Sequence, residues 1–191
     1  MHTLLDLRGN LPVYIHLADA SVRDVKALDT LCVEMGAIYI LDKGYVDFFR
    51  LFNHIHKNGA SFVTMAKDNM LYEVVESRGN DPEAGIISDE IIKLTGVKPS
   101  KCYPENLRMV TYEDFATGNV YRFHTNHLGY EARTIAELYR ERWNVELFFK
   151  WIKQHLHIKS FYGTSEKPSI LKSGLQYARS SFWHLPRKSW G

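Results

Sequence analysis

Charged residues recur at fixed intervals in the segment from Thr134 to His157. Tyr139, Arg142, Glu146 and Lys153 are separated by two, three and six residues. At about 3.6 residues per helical turn they fall on one stripe of a helix, and the large apolar residues fall on the other side. On an ordinary solvated helix face, such residues form ion pairs one turn apart. A four-position pattern with three fixed gaps is nevertheless more specific than a lone carboxylate on a helix.

A second acidic residue, Asp42, follows a short apolar strand of the kind that is buried on both faces. Sites in α/β sheets lie beyond the carboxyl ends of strands, and Asp42 occupies such a position, with Gly44 two residues later. The alternative is a turn-forming Asp whose carboxylate accepts hydrogen bonds from nearby backbone amides. The residues alone leave both interpretations open.

Strands and helices alternate ahead of these residues, which predicts a mixed α/β sheet flanked by helices. The predicted elements are, in order, a hairpin over 2–17, a helix over 24–35, a strand over 37–41, a helix over 45–57 and a strand over 61–66. A β-rich segment at about 68–126 then precedes the long helix. That helix is predicted to begin with a capping box formed by Thr134 and Glu137.

Length and composition exclude several classes of protein. A chain of 191 residues with 45% hydrophobic residues is most simply one domain. A net charge of +2 does not by itself indicate a nucleic-acid partner, so any DNA affinity must come from local clusters. Two distant cysteines form no disulfide framework, and the sequence shows neither a signal peptide nor a membrane-spanning run. These features predict a cytoplasmic protein with no membrane partner.

The helix pattern matches the Y-(2)-R-(3)-E-(6)-K signature of the DDE transposases of the IS-four group of bacterial insertion sequences. Asp42-Lys43-Gly44-Tyr45 resembles the second acidic motif of that family, and LLDLRGNLPVYIHLAD resembles its hairpin. The likeness runs from Thr3 to about Glu166. It implies an RNase H-like domain over 1–166, with a β-rich insertion at about 68–126 before the last long helix.

The resemblance also implies an activity and a set of site residues. Enzymes of this family cleave DNA and join DNA strands with two divalent ions, Mg²⁺ or Mn²⁺, held by carboxylates. By resemblance, Asp42 and Glu146 are catalytic metal ligands, and Tyr139, Arg142 and Lys153 bind DNA. The implied partners are double-stranded DNA, as terminal repeats and as target, and a second copy of the enzyme in a dimer on DNA.

Two features depart from the family pattern. The first catalytic Asp of the family ends a strand upstream of the hairpin, and this sequence shows no such strand, so the chain is expected to be a truncated copy that is inactive alone. Residues 167–191 contain Pro168, Pro186 and five Lys or Arg, which predicts a divergent basic tail with little order. The tail is either a DNA-contacting arm or an out-of-frame end.

Two other functions remain as alternatives. A non-catalytic DNA-binding remnant would keep the basic stripe without the chemistry. An unrelated RNase H-like nuclease would need a fourth carboxylate near Asp42, for which Asp68 and Glu73 are the candidates.

Overall fold

The computed structural model describes residues 2–6, 11–16, 28–29, 31–142 and 180–185. Strands in these residues form one nine-stranded sheet in the order β2-β1-β9-β3-β4-β8-β7-β6-β5. Their bounds are β1 His2–Asp6, β2 Leu11–His16, β3 Ile38–Leu41, β4 Ser61–Met65, β5 Tyr72–Asp81, β6 Ile86–Leu94, β7 Leu107–Asp114, β8 Asn119–Thr125 and β9 Ser180–Leu185.

The sheet is mixed. β3 runs parallel to β4, and β1 runs parallel to β9, while the other neighbouring strands are antiparallel. Together with the helices this confirms the predicted α/β class and is consistent with an RNase H-like fold. The hairpin, the strand before Asp42 and the strand at 61–66 are confirmed, and the segment at 68–126 is rich in strands as predicted.

Besides isolated 3-10 turns such as Lys43–Tyr45 and Pro82–Ala84, three helical segments accompany the sheet in the described part of the chain. The first begins as an α-turn, α1 (Phe48–Arg50), and continues through a π-turn (Leu51–Ile55) and a 3-10 turn (His56–Asn58). The second, α2, is Val97–Cys102. The third, α3, is described over residues 132–142. The helix predicted over 45–57 is therefore confirmed in substance, although its hydrogen bonding is irregular.

Both faces of the sheet carry a hydrophobic core, and β3 contributes to both because its side chains alternate. Tyr39 and Leu41 pack in one cluster with Phe62 and Tyr103. Ile38 and Ile40 pack in the other, with residues of β8 and α3. All four β3 residues are buried, and burial of each Ile or Leu side chain among them stabilises the fold by roughly 1.5–3 kcal/mol. The short strand before Asp42 is thus one of the most firmly held elements.

The predicted helix over 24–35 is wrong in its second half. Residues 31–34 have no regular structure, and Gly36 forms a turn with a φ of 79°. The amide of Glu34 donates a hydrogen bond to the Tyr39 hydroxyl at 3.0 Å, so it is not engaged with a carbonyl of its own segment. Here a contact with β3 outweighs local helix propensity. Residues 24–27 lie outside the described part.

The predicted capping box at Thr134 is also wrong. The helix begins at residue 132, and the amide of Ile135 bonds to the carbonyl of Glu131. The carboxylate of Glu137 instead accepts a hydrogen bond from Arg133 Nε at 2.8 Å, one turn back along the helix. Thr134 therefore lies inside the first turn.

The C-terminal tail differs from expectation in one respect. The tail from residue 167 was predicted to carry little order, but Ser180–Leu185 form β9 between β1 and β3. Residues 167–179 and 186–191 lie outside the described residues.

The strand β5 ends the sheet on one side, and its pairing with β6 is irregular. The register shifts three times, between Val74 and Glu76, between Ser77 and Gly79, and between Gly79 and Asp81. Nearly all residues of this strand are exposed.

A histidine lies inside one of the cores. His124 of β8 is fully buried, and its ring lies 5.7 Å from that of Phe48 and 5.9 Å from that of Phe62. Neither ring nitrogen has a hydrogen-bond partner among the described residues, and the same holds for the hydroxyl of its register partner Thr64. Burial, reinforced by the charge of Lys67, lowers the pKa of His124 to about 3.

Acid should destabilise the protein through this residue. Below the ordinary histidine pKa of about 6.5 the unfolded chain binds a proton at His124, whereas the folded chain binds it only near pH 3. The free energy of unfolding should therefore be unaffected above pH 6.5 and fall by up to about 1.4 kcal/mol per pH unit below it. Urea unfolding at pH 7, 6, 5 and 4 should show a shallower pH dependence for His124→Phe than for the wild type. His124→Leu is a smaller second replacement, and equal pH dependence in all three proteins would contradict the prediction.

Candidate active site

Asp42 lies immediately after β3, where the backbone is still extended, with φ −70° and ψ 154°. Its Oδ1 accepts a hydrogen bond from the amide of Lys43 at 2.6 Å and starts a 3-10 turn over Lys43–Tyr45. This is the local capping role that the sequence left open. This hydrogen bond occupies one oxygen of the Asp42 carboxylate and leaves the other oxygen available for a different contact.

The second oxygen of Asp42 faces helix α3. Oδ2 lies 3.6 Å from Nη1 of Arg142, whose side chain is 8% exposed, while that of Asp42 is 32% exposed. A guanidinium removed from water needs an anion nearby, because an unpaired buried charge is costly. The fold therefore brings together Asp42 and Arg142, which belong to two separate motifs of the sequence.

Tyr139 lies one turn before Arg142 and is 1% exposed. Its ring lies 4.8 Å from that of Phe123 in β8, and the guanidinium carbon of Arg142 lies 5.3 Å from the Tyr139 ring centroid. The aromatic ring is thus packed between the sheet and the arginine.

The face that α3 turns to the sheet differs from the predicted one. The sequence placed Tyr139 and Arg142 on a polar stripe opposite the core. In the structure the buried residues of this part of the helix are Ile135, Ala136, Tyr139 and Arg142, and the exposed ones are Glu137, Arg140 and Glu141. The prediction is wrong over these turns because it placed Arg142 with the charged residues, whereas its carboxylate partner lies at the sheet.

A second arginine, which the sequence analysis missed, holds the segment before α3. Arg108 of β7 is 2% exposed and donates two hydrogen bonds of 2.7 Å to the carboxylate of Asp89 in β6. It also donates to the carbonyls of Leu128 and Tyr130, just ahead of the helix. A charged residue within a strand carries no sequence signal for such a role.

The surface beside Asp42 carries a further ion pair. Nζ of Lys43 lies 3.0 Å from the Asp68 carboxylate, and the Asp68 side chain is 88% exposed. The hydrogen bond from Lys43, together with its charge, lowers the pKa of Asp68. Asp68 therefore faces solvent and its lysine partner.

The described residues do not by themselves form a metal centre. They contain no group of three or more His, Cys, Asp or Glu side chains placed to hold an ion. Asp42 supplies one carboxylate, with one oxygen on an amide and the other beside a guanidinium. Glu146 and Lys153 lie outside the described residues. Their position next to Asp42 remains a prediction.

Comparison with known proteins gives a consistent set of similarities. The profile of a family described as "Transposase DDE domain" matches residues 1–167. The chain is 37% identical over 170 residues to a protein of Sinorhizobium fredii (strain NBRC 101917 / NGR234) named as a transposase, y4zB, covering 87% of this chain and 47% of that protein. It is 31% identical over 131 residues to a Geobacillus stearothermophilus protein named as the transposase for insertion sequence element IS5377, covering 68% of this chain and 34% of that protein.

The chain thus spans about half the length of the first relative and a third of the second. No solved structure gives a significant match. None of the helices described here combines the length and apolar character that crossing a bilayer requires.

The contact between Asp42 and Arg142 should be measurable as a coupling energy. In a double-mutant cycle with Asp42→Asn and Arg142→Gln, the loss of unfolding free energy should be non-additive by about 1–2 kcal/mol, because the pair is largely removed from water. The exposed pair Lys43–Asp68 is the matched control, and Lys43→Gln with Asp68→Asn should give a coupling below about 0.5 kcal/mol. Urea unfolding measures both cycles. Equal coupling energies for the two pairs would show that the Asp42–Arg142 contact is no stronger than an exposed ion pair.

Proposed function

Because the chain belongs to the Transposase DDE domain family, we propose that it is part of the catalytic domain of an IS-four-group transposase. The activity of that domain is metal-dependent DNA cleavage and strand transfer at insertion-sequence ends. The observation that supports this most directly is the 3.6 Å approach of Arg142 Nη1 to Asp42 Oδ2. It joins the strand-end acidic motif to the helix signature, although the two are far apart in the sequence.

The proposed metal ligands are Asp42 and Glu146. Enzymes of this family generally depend on divalent metal ions, and carboxylate oxygens suit hard cations such as Mg²⁺ or Mn²⁺. In the intact family enzyme, two such ions would activate the attacking oxygen and stabilise the leaving oxygen of a phosphodiester. Asp42 fits the ligand role in part, because its Oδ2 lies on the side of the turn that faces α3.

The proposed DNA-binding residues are Tyr139, Arg142 and Lys153. Tyr139 and Arg142 are buried against the sheet, so a phosphate would reach Arg142 only after the guanidinium turns away from Asp42. We expect Arg142 to neutralise Asp42 in the absence of DNA and to leave it when the carboxylate becomes a metal ligand. A guanidinium can then bind two phosphate oxygens at once.

The 191-residue chain on its own is proposed to be inactive, because its sequence shows no acid that matches the first catalytic motif. The proposed RNase H-like domain comprises residues 1–166, and the β-rich segment at about 68–126 is an insertion in it. Residues 167–191 form the proposed tail. The proposed setting is the cytoplasm, and the proposed partners are terminal-repeat and target DNA and a second transposase copy.

The alternative is a non-catalytic DNA-binding remnant of the same family. It is favoured by one observation: Oδ1 of Asp42 accepts a hydrogen bond from the Lys43 amide, and Oδ2 lies 3.6 Å from the Arg142 guanidinium. Metal binding separates the two functions, since the remnant would need no ion.

The catalytic-domain proposal predicts a specific Mn²⁺ site. In an electron paramagnetic resonance titration the full chain should bind Mn²⁺, and Asp42→Asn or Glu146→Gln should each weaken binding about tenfold or more, since each removes a proposed ligand. Asp68→Asn is the control, because that acid is exposed and pairs with Lys43, and it should leave the affinity unchanged. Absence of binding, or an affinity insensitive to Asp42→Asn, would overturn the proposal in favour of the remnant.

The same preparations test the proposed inactivity. Incubation of the chain with Mg²⁺ and a duplex carrying the terminal repeats of its element should give no end-specific nicking. Efficient nicking would show that the chain supplies every carboxylate the reaction needs.

The proposed phosphate contacts predict the salt dependence of DNA binding. In fluorescence anisotropy titrations, Arg142→Ala and Lys153→Ala should each flatten the plot of log affinity against log salt by about one, because each removes one phosphate contact. Arg140→Ala is the matched control, since Arg140 is exposed on the opposite side of α3. A change of slope for Arg140→Ala together with none for Arg142→Ala would assign DNA binding to the outer face of the helix.

A further inference from the structure

Two neighbouring turns meet at the edge of the sheet where Asp42 lies. β3 and β4 are parallel and in register, so both strands end at this edge. The turn after β3 carries Lys43, and the residues that follow β4 include Lys67 and Asp68. Because ligand sites in α/β sheets lie beyond the carboxyl ends of strands, these charged side chains stand beside the candidate active site.

Lys67 is engaged in holding the turn that follows Asp42. Its Nζ donates a hydrogen bond of 2.9 Å to the carbonyl of Val46, the buried residue that ends this turn. The side chain of Lys67 is only partly exposed. A carbonyl near the core that loses its partner costs free energy, so the amine of Lys67 is committed to this contact.

Lys43 is held far less firmly than Lys67. Its Nζ lies 3.0 Å from the Asp68 carboxylate, and the two side chains are 39% and 88% exposed. An exposed ion pair contributes little to stability, because water solvates both charges when they separate. The ammonium group of Lys43 can therefore exchange Asp68 for another anion at small cost.

The surroundings of this pair favour an incoming anion. Arg122 of β8 lies at the same edge, since its carbonyl accepts a hydrogen bond from the amide of Ala66. The hydrogen bond and the charge of Lys43 lower the pKa of Asp68, and the charge of Arg122 adds to this effect. Lys43, Lys67 and Arg122 thus bring positive charge to the surface on which Asp68 lies, which suits the phosphates of DNA.

We propose that Lys43 contacts a DNA phosphate at this edge, and that Asp68 occupies Lys43 until the phosphate displaces it. The inference rests on the proposed function, since it takes DNA as the partner, and it assigns roles to two residues for which the resemblance implies none. A lysine ammonium binds phosphate as a point charge and reads no base sequence. Because Lys43 directly follows Asp42 in the chain, the phosphate would lie near the proposed metal ligand.

The two members of the pair should affect DNA binding with opposite signs. Removal of the charge of Lys43 deletes an attraction to phosphate. Removal of the charge of Asp68 deletes the anion that competes for Lys43 and also a repulsion of DNA. A pair that served only to stabilise the fold would not give opposite signs, because either substitution would break the same contact.

Fluorescence anisotropy with the full chain and a DNA duplex of arbitrary sequence, over a range of salt concentrations, tests these signs. Lys43→Gln should flatten the plot of log affinity against log salt by about one, which weakens binding about tenfold at 0.1 M salt. Lys43→Arg should keep the slope of the wild type, because it keeps the charge. Asp68→Asn should strengthen binding about threefold at low salt and should not flatten the plot.

Matched controls lie at the opposite edge of the sheet. Lys57 precedes β4 and Glu105 precedes β7, and both strands begin at the edge away from Asp42. Both side chains are exposed. Lys57→Gln and Glu105→Gln remove one charge of each sign and should change neither the affinity nor the slope.

The outcomes separate this inference from the proposed function. A slope for Lys43→Gln equal to that of the wild type, or weaker binding by Asp68→Asn, would overturn the inference. The proposed DNA partner would still stand if Arg142→Ala and Lys153→Ala flatten the plot. Absence of DNA binding by the wild type would overturn both.

Acetylation footprinting of the wild-type chain tests the contact without any substitution. With an amine-reactive acetylating reagent and mass spectrometry, Lys43 should lose most of its reactivity when the duplex is bound, while Lys57 should keep its reactivity. Lys67 should react slowly with and without DNA, because its amine is held by the carbonyl of Val46. Equal reactivity of Lys43 in the free and the DNA-bound chain would overturn the inference.

Discussion

The arrangement of the site depends on one electrostatic constraint, which is that the guanidinium of Arg142 is largely removed from water. Such a group is stable only beside an anion, and Asp42 provides it at 3.6 Å. This contact links α3 to the turn after β3. On the same helix, Tyr139 packs against Phe123, while Arg140 and Glu141 are exposed. The turn after β3 and the helix are thereby held as one unit.

A second buried arginine holds the segment that precedes the helix. Arg108 is neutralised by Asp89 and uses its remaining donors on carbonyls of the segment that leads into α3. The helix is thus positioned by two guanidinium groups, one from the sheet and one of its own. Because hydrogen bonds from a charged group are stronger than neutral ones, the bonds from Arg108 hold the segment before α3 more firmly than packing alone.

The sequence predicted the elements whose signals are local. The apolar run before Asp42 and the helix ending at Gly59 carry such signals. The resemblance predicted a DDE transposase, which the comparisons confirm, and the assignment to the IS-four group remains a prediction. The helix face was wrong because a charge pattern does not reveal that Arg142 has its partner on the sheet. β9 was missed because its two neighbours are at the other end of the sequence. The roles of Glu146 and Lys153 remain predictions.

The irregular pairing of the edge strand β5 affects how the protein behaves at high concentration. A regular, exposed outer strand would offer evenly spaced donors and acceptors to a neighbouring molecule, and sheets could then grow from one molecule to the next. Three shifts of register and the charges of Glu73, Glu76 and Arg78 interrupt that spacing. The edge strand β5 is therefore a poor template for fibril growth, even though Val74 and Val75 are exposed on it.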